Sequence, residues 1–453
     1  MTLSEQYARF VHELNWTRLP KEVRQIALEL FADWFANAAA GLASPLSQAF
    51  LSLAPIYDGP GRALRVGDLK PVEPLWAALV NASASHALEF DDSYRAGLYH
   101  PGAPILSAAF SGACRAEIPG AELLTALVAG YEVSLRLASA VNPAHYKLWH
   151  TTGTVGTFGA AIAAARTLGL NPRQTTSAFG LAGTQATGLW EVLPDAPQAK
   201  NLHPAKAAHA GLLAAMLSQQ GIEGPTTILE GRRGFFSAMV PEPVEVRTCT
   251  AGLGEEWLTP TTTFKNYPVC GHTMTPIEAS LKLHGQFALA DVEEIEVRAH
   301  PVSLQIAGQP FPANEYQAKF SIPYCVAVAL IKGHVGQEEF SREVRESEEI
   351  GDLLKRIRLI PDDGLGEVPG QRPAKITLRV SGGKTFTAAA EVRKGDPELP
   401  MTAEEKRDKF LKLTRPAWGG NGAAERVFES IQELPKAPNV LRWAEGLRTL
   451  RTM

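Results

Sequence analysis

Cysteine is scarce in this chain of 453 residues: Cys114, Cys249, Cys270 and Cys325 lie far apart and form no CxxC pair. A disulfide framework, a zinc ribbon and a local iron–sulfur motif therefore have no support. Long apolar runs are missing too, and no stretch approaches the roughly 18 uncharged apolar residues of a spanning helix. Charge of one sign is not in excess: the net charge is −4, with acids and bases mixed throughout. That excludes the basic footprint of a nucleic-acid binder and the polybasic patch of a membrane binder. The first residues, MTLSEQYARFVHELNW, lack an apolar core followed by a small-residue cleavage site, so no signal peptide is expected and the expected location is the cytoplasm. HExxH, GxxxxGK[ST] and GxSxG are all absent. Zincin-type metal binding, a nucleotide loop and a hydrolase nucleophile elbow lose their usual signals, and neither metal nor cofactor is expected.

What is present is an ordinary globular composition, 45% hydrophobic and 20% charged. Domains mostly run about 50–250 residues, so two are expected. From the start to about residue 258 the pattern is helical. EVRQIALELFADWFANAAAG carries apolar residues at spacings of three and four and then a glycine stop. GAELLTALVAGYEVSLRLASAV, FGAAIAAARTLGL and HPAKAAHAGLLAAMLSQQGI read the same way, rich in the small residues that let helix axes come close. Near residue 290 the texture changes. VEEIEVRAH alternates as a half-buried strand does, and KITLRVSGGKTFTAAAEVR reads as strand, Gly-Gly turn, strand. KFSIPYCVAVALIKG reads as a helix entered by a proline turn, and residues 361–373 as a Pro/Gly loop. The expected fold is mainly α. A large multi-helical domain (1–258 and 398–453, discontinuous) is joined to a smaller α+β domain (259–397).

Four stretches set reactive groups beside small-residue backbone. EFDDSYRAGLYHPGAP (89–104) packs Glu89, Asp91 and Asp92 ahead of His100. Asp92 and Ser93 suit a cap or a turn, whereas a histidine fixed on a turn between apolar helices can titrate near neutrality and move a proton. HYKLWHTTGTVGTFGAA (145–161) brings His145, Tyr146 and His150 to the start of a helix whose free N–H groups favour an anion. QAKNLHPAKAAHAG (198–211) holds Lys200, His203, Lys206 and His209, with Lys206 reading as a solvated lysine. TTTFKNYPVCGHTM (261–274) holds Lys265 and His272 where the helical domain ends. This inventory of cations and imidazoles around one acid cluster suits removal of a proton next to a carboxylate. Lysines and helix N–H groups stabilise the developing charge, and a histidine or tyrosine carries the proton. Loss of β-hydroxide would then be dehydration, return of the proton to the other face epimerisation, and loss of CO2 in place of H+ decarboxylation.

The ordered series EFDDSYRAGLYHPG, GYEVSLRLASAV, HYKLWHTTGTVGTFGAAIAAARTLGL, AKNLHPAKAAHAG, GPTTILEGRRGFF, FKNYPVCGHT and KFSIPYCVAVAL resembles the MmgE/PrpD family over nearly the whole chain. That family includes 2-methylcitrate dehydratase, cis-aconitate decarboxylase and iminodisuccinate epimerase. The resemblance implies a helical domain with a smaller α+β lid, a homodimer, and cofactor-independent chemistry on a small di- or tricarboxylate between the domains. It implies Glu89, Asp92, His100 and His150, with Tyr146 beside them, as catalytic groups. It implies Ser93, Lys200, Lys265, His272 and Tyr324 as substrate-binding ones. His100 is then the expected acid/base, with Glu89 or Asp92 orienting it or a substrate hydroxyl. The chain departs from the family's pattern at Glu89, where Asp is common, and at Gly102, where Ser is frequent. HYKLWH is one residue shorter than the family's HYxxGWH form, and Met274 and Thr275 follow where a second histidine is often found. The leading expectation is a lyase, either dehydratase or decarboxylase. An epimerase in the same pocket and a noncatalytic anion-binding protein are the alternatives.

Overall fold

The structure is a computed structural model that describes residues 1–59, 61–192, 197–365, 371–419 and 422–452. The chain divides into two compact units, residues 1–263 with 402–453, and residues 264–401.

The larger unit is built of helices: α1 (Leu3–Glu13), α2 (Lys21–Gly41), α3 (Pro74–His86), α4 (Gly102–Ala116), α5 (Gly120–Val141), α6 (Thr151–Thr167), α7 (Pro172–Gly183), α8 (Leu202–Gln219) and, after the smaller unit, α10 (Ala403–Trp418). Their starts follow local chemistry. Thr2 with Glu5, Asn171 with Gln174 and Thr402 with Glu405 form reciprocal capping boxes on α1, α7 and α10. Proline opens α3 and α7, where its missing N–H costs nothing. In α6 every residue except Arg166 is buried, so this helix has no solvent face and needs small side chains all round. Gly211 of α8 shows how close the neighbours come. A Cβ there would lie 2.6 Å from both the Cβ of Ala160 and the backbone N of Ala161.

Helix α5 is long and apolar enough to cross a membrane, yet 89% of its apolar window is buried in the protein. It also carries a buried ion pair, Arg136 to Glu132 at 2.5 Å, whose carboxylate accepts from the Thr259 N–H. Helix α10 returns onto α2: Phe35 meets Phe410 and Trp418, and Lys409 pairs with Asp33 at 2.6 Å.

The smaller unit holds a four-stranded sheet of β1 (Val292–Ala299), β2 (Ile357–Pro361), β3 (Ala374–Val380) and β4 (Thr385–Ala390), in the order β2-β1-β3-β4. Strand β1 runs parallel to β2 and antiparallel to β3, with Ile295 opposite Leu378 and Val297 opposite Ile376. These four side chains are fully buried while Lys375 and Arg379 face out, the alternation the sequence displays. Gly382 and Gly383, both at positive φ, turn β3 into β4. The apolar face packs with α9 (Ile322–Lys332), which Ser321 caps and Gly333 ends in the left-handed conformation. Of the loop expected at 361–373, residues 366–370 lie outside the described residues.

Candidate active site

The site grows from the end of α3. The helix stops at His86, and Glu89 turns the chain at φ 56°, a left-handed conformation that costs a non-glycine residue roughly 1–2 kcal/mol. Surrounding contacts hold this turn. The Phe90 carbonyl accepts from Lys409 Nζ at 2.8 Å, and the same ammonium lies 4.1 Å from the Phe90 ring centroid. Farther on, Ser93 bridges to Thr263 and Tyr94 to Tyr99. Asp92 fastens the loop to the helices that follow: its Oδ1 accepts the Gly102 N–H at 3.0 Å and its Oδ2 accepts the Tyr131 hydroxyl at 2.8 Å. Burial, with the negative charge of Asp91 second, raises the Asp92 carboxyl to about 8. Near neutral pH this favours the protonated form of Asp92.

Gly102 leaves the room that the Asp92 carboxyl occupies. A Cβ at that position would collide with Asp92 Oδ1 and lie 3.0 Å from the Tyr131 hydroxyl.

Three imidazoles gather around the loop. His86 and His100 have ring centroids 5.1 Å apart, and each lies 6.4–6.5 Å from His150. His86 Nδ1 donates to Asp91 Oδ2 at 2.7 Å. His100 Nδ1 lies 3.0 Å from the Asp92 carbonyl, which can only accept. That nitrogen therefore carries a proton, and Nε2 is the basic atom of the neutral ring. The His100 Nδ1 is also 3.5 Å from Asp91 Oδ2, close enough for the carboxylate to stabilise a cationic ring. His100 has 18% of its side chain exposed, against none for His86. Thr152 of α6 fixes the His100 backbone by accepting its N–H at 3.1 Å.

His150 occupies the N-cap of α6, and its Nδ1 lies 3.0 Å from the Nδ1 of His203. One of the two must donate and the other accept, which two neutral rings satisfy. Burial, then the Lys200 charge, hold His150 well below its ordinary value. Burial, then Lys206, lower His203 to about 4. Trp190 covers His150 at 4.4 Å, and Tyr146 meets Trp190 edge-on at 5.0 Å, so Tyr146 stands one ring removed from His150.

Lys200 enters from the segment before α8 and pairs with Glu89 at 2.5 Å, both side chains almost wholly buried. His86 Nε2 lies 3.8 Å from Glu89 Oε1. Lys206 is not the solvated lysine expected from sequence. It donates to the carbonyls of Gln185 at 2.9 Å and Gly153 at 3.2 Å, and burial lowers it to about 8. His145 is likewise committed, its two ring nitrogens facing the Met239 carbonyl and Thr154 Oγ1, and burial lowers it to about 4.

The larger unit therefore gathers Glu89, Asp92, Ser93, His100, His150 and Lys200. The buried Ser93 Oγ has no hydrogen-bond partner among the described residues. Lys265, His272 and Tyr324 belong to the smaller unit. Lys265 is fully buried; His272 Nδ1 lies 3.0 Å from Ser303 Oγ; the Tyr324 hydroxyl donates to the Glu339 carbonyl at 2.5 Å. Burial, then Arg372 and Arg393, lower His272 to about 3.

His86, Asp91 and His100 bring three ligand-type atoms within 4.8 Å of one another. In this structure His86 Nδ1 lies 2.7 Å from Asp91 Oδ2 and His100 Nδ1 lies 3.0 Å from the Asp92 carbonyl. His86, Tyr131, Trp190 and the clamp from Lys409 were not singled out in the sequence. The available signal was His86 itself, one imidazole closing a helix of small residues (NASASHAL) five positions before Asp91.

Two family models match the chain, the MmgE/PrpD N-terminal domain over residues 5–246 and the MmgE/PrpD C-terminal domain over residues 267–434. Similar proteins include the cis-aconitate decarboxylase-like protein oryM of Aspergillus oryzae, 28% identical over 97% of this chain and 95% of that protein. Human cis-aconitate decarboxylase is 26% identical over 100% of this chain and 94% of its own length. The 2-methylcitrate dehydratase of Cupriavidus necator is 24% identical over 69% of this chain and 68% of its own.

Proposed function

Because the chain belongs to the MmgE/PrpD family, we propose that it is a lyase acting on a small di- or tricarboxylate by acid/base chemistry next to a carboxylate group. The observation that carries this reading is His100, the most exposed of three clustered imidazoles, held with Nδ1–H on a carbonyl and Nε2 as its basic atom. His100 Nε2 would take or return the proton at the reacting carbon. Glu89 and Lys200, paired at 2.5 Å, would reorganise on binding, so that the ammonium meets a substrate carboxylate and spreads the charge that develops on it. His150 and Ser93 would line the same region, and Lys265, His272 and Tyr324 are the proposed substrate-binding residues of the smaller unit. Asp92, with both carboxyl oxygens committed to Gly102 and Tyr131, would position the His100 loop and take no proton from substrate. No cofactor is assigned a role in these steps. Decarboxylation is the first chemistry to test, because the decarboxylase relatives extend over the whole chain and the dehydratases over about two thirds.

The test is proton NMR in D2O with EDTA-treated protein and a panel of 2-methylcitrate, citrate, cis-aconitate, tartrate and iminodisuccinate. A new vinyl signal or loss of a carboxylate supports the lyase reading, and His100→Gln should lower that turnover by about 10² or more while leaving the thermal transition in place. Deuterium entering a substrate with no other change would make the protein an epimerase. Full turnover by His100→Gln would remove His100 from the chemistry.

A further inference from the structure

The acid/base reading leaves a buried pair unused. His86 and Asp91 sit behind His100, joined at 2.7 Å and almost wholly shielded from solvent. We propose that Asp91 and His86 form a positioning relay for His100, in which Asp91 stabilises the protonated ring and the His86 N–H holds Asp91 in place. This rests on His100 being the proton carrier.

The geometry argues for it in three ways. The Asp91 Oδ2 that accepts the His86 N–H is the same atom that lies 3.5 Å from His100 Nδ1, so one carboxylate oxygen serves both rings. The neighbouring acid, Asp92, is committed to the Gly102 N–H and the Tyr131 hydroxyl, which leaves Asp91 as the member of the pair that faces the two imidazoles. The far side of His86 faces Glu89 Oε1 at 3.8 Å, and Glu89 pairs with Lys200, so the His86 ring is held between the two acids. When His100 Nε2 accepts a proton, the new positive charge lies on the ring beside Asp91. The proton stays on His100 and the carboxylate remains ionised. The arrangement is that of a general base oriented and stabilised by a buried acid, with one further imidazole clamping the acid.

The charged and titratable groups around His100 come from several elements. His86 closes α3, and Glu89, Asp91 and Asp92 lie in the loop after it. Asp33 on α2 and Tyr131 on α5 act on Asp92. His150 caps α6, and Lys200 precedes α8. Among these, the Asp91 carboxylate lies 3.5 Å from the His100 ring nitrogen. Removing its charge should therefore lower the His100 pKa.

The experiment is an NMR titration with histidines labelled at Cε1, the His100 resonance being identified by its loss in His100→Gln. Turnover against pH is measured alongside on the substrate that the carboxylate panel identifies. Asp91→Asn should lower the His100 pKa by about one unit or more and reduce kcat by about 10²-fold with KM little changed, the acidic limb moving to lower pH with the ring. His86→Asn keeps an N–H near the position of Nδ1 and should recover most of what His86→Leu loses, in both readouts. If Asp91→Asn does not fold, the two His86 variants decide the question. An unmoved His100 titration in Asp91→Asn, or equal effects of His86→Asn and His86→Leu, overturns the relay. A wild-type protein that turns over no carboxylate overturns the functional reading instead, and the titration still reports on the relay.

Discussion

At the residue scale, the site depends on where protons and side-chain volume are placed more than on which residue types are present. Asp91 and Asp92 are adjacent and chemically identical, yet one faces two imidazoles and the other a tyrosine hydroxyl and a backbone N–H. Gly102 makes the second environment possible. Both Gly102→Ser and Gly102→Ala should destabilise the protein by about 1–3 kcal/mol, because the obstacle is the Cβ against Asp92 and not the hydroxyl. Thermal unfolding of the two variants checks this. A serine variant as stable as the wild type would mean that Asp92 can move away without loss. The letters EFDD and HPG name the candidates, but nothing in them tells Asp91 from Asp92. That difference comes from Tyr131 and His86, residues far away or on the other side of a turn.

At the scale of elements, the all-buried helices decide what the chain tolerates. Replacing a mid-helix glycine by alanine ordinarily adds about 1 kcal/mol through helix propensity. At Gly211 the added Cβ would meet Ala160 and the backbone of α6 at 2.6 Å. Overpacking of about 1–3 kcal/mol should therefore win. Urea unfolding of Gly211→Ala should show a lower midpoint with an unchanged slope, and a raised midpoint would mean that α6 and α8 can part freely. The Ala- and Gly-rich repeats predict close packing of this kind. They do not predict that the threonines at the start of α6 would serve neighbouring segments: Thr151 accepts from Asn142, Thr152 from the His100 N–H, and Thr154 contacts His145. A threonine at a helix start suits a local cap, but the partners of these three come from other segments.

Across the whole molecule, buried titratable groups set how stability varies with pH. His145 and His203 are lowered to about 4 and His272 to about 3, so each is neutral in the fold. Their contribution is full above the ordinary histidine value of about 6.5 and is lost as pH falls through their folded values. Asp92 acts in the opposite sense. Its carboxyl is raised to about 8, so its contribution is present below the ordinary carboxylate range and is lost as pH rises to about 8. The melting temperature should therefore peak near pH 6.5, fall toward pH 4 and decline more gently toward pH 8.5. Asp92→Asn should remove the alkaline decline and leave the acidic one. A wild-type melting temperature that rises steadily from pH 6.5 to 8.5 would contradict the protonated state of Asp92.

The sequence by itself determined the mainly helical class, the alternating strands of the smaller unit, its Gly-Gly turn, and the family to which the motifs belong. These are properties of local period and of short ordered motifs. Hydrophobic spacing of three to four or of two is written in consecutive residues and needs no partner to be recognised. Tertiary structure decided which reactive groups are free to act. Lys206 read as a solvated lysine and His145 as one of the reactive groups before a helix, and both are committed to backbone and threonine oxygens. His86 was not singled out in the sequence and faces the acid cluster. Whether a buried polar group serves structure or chemistry depends on the donors and acceptors within about 3 Å, and those come from other segments of the chain.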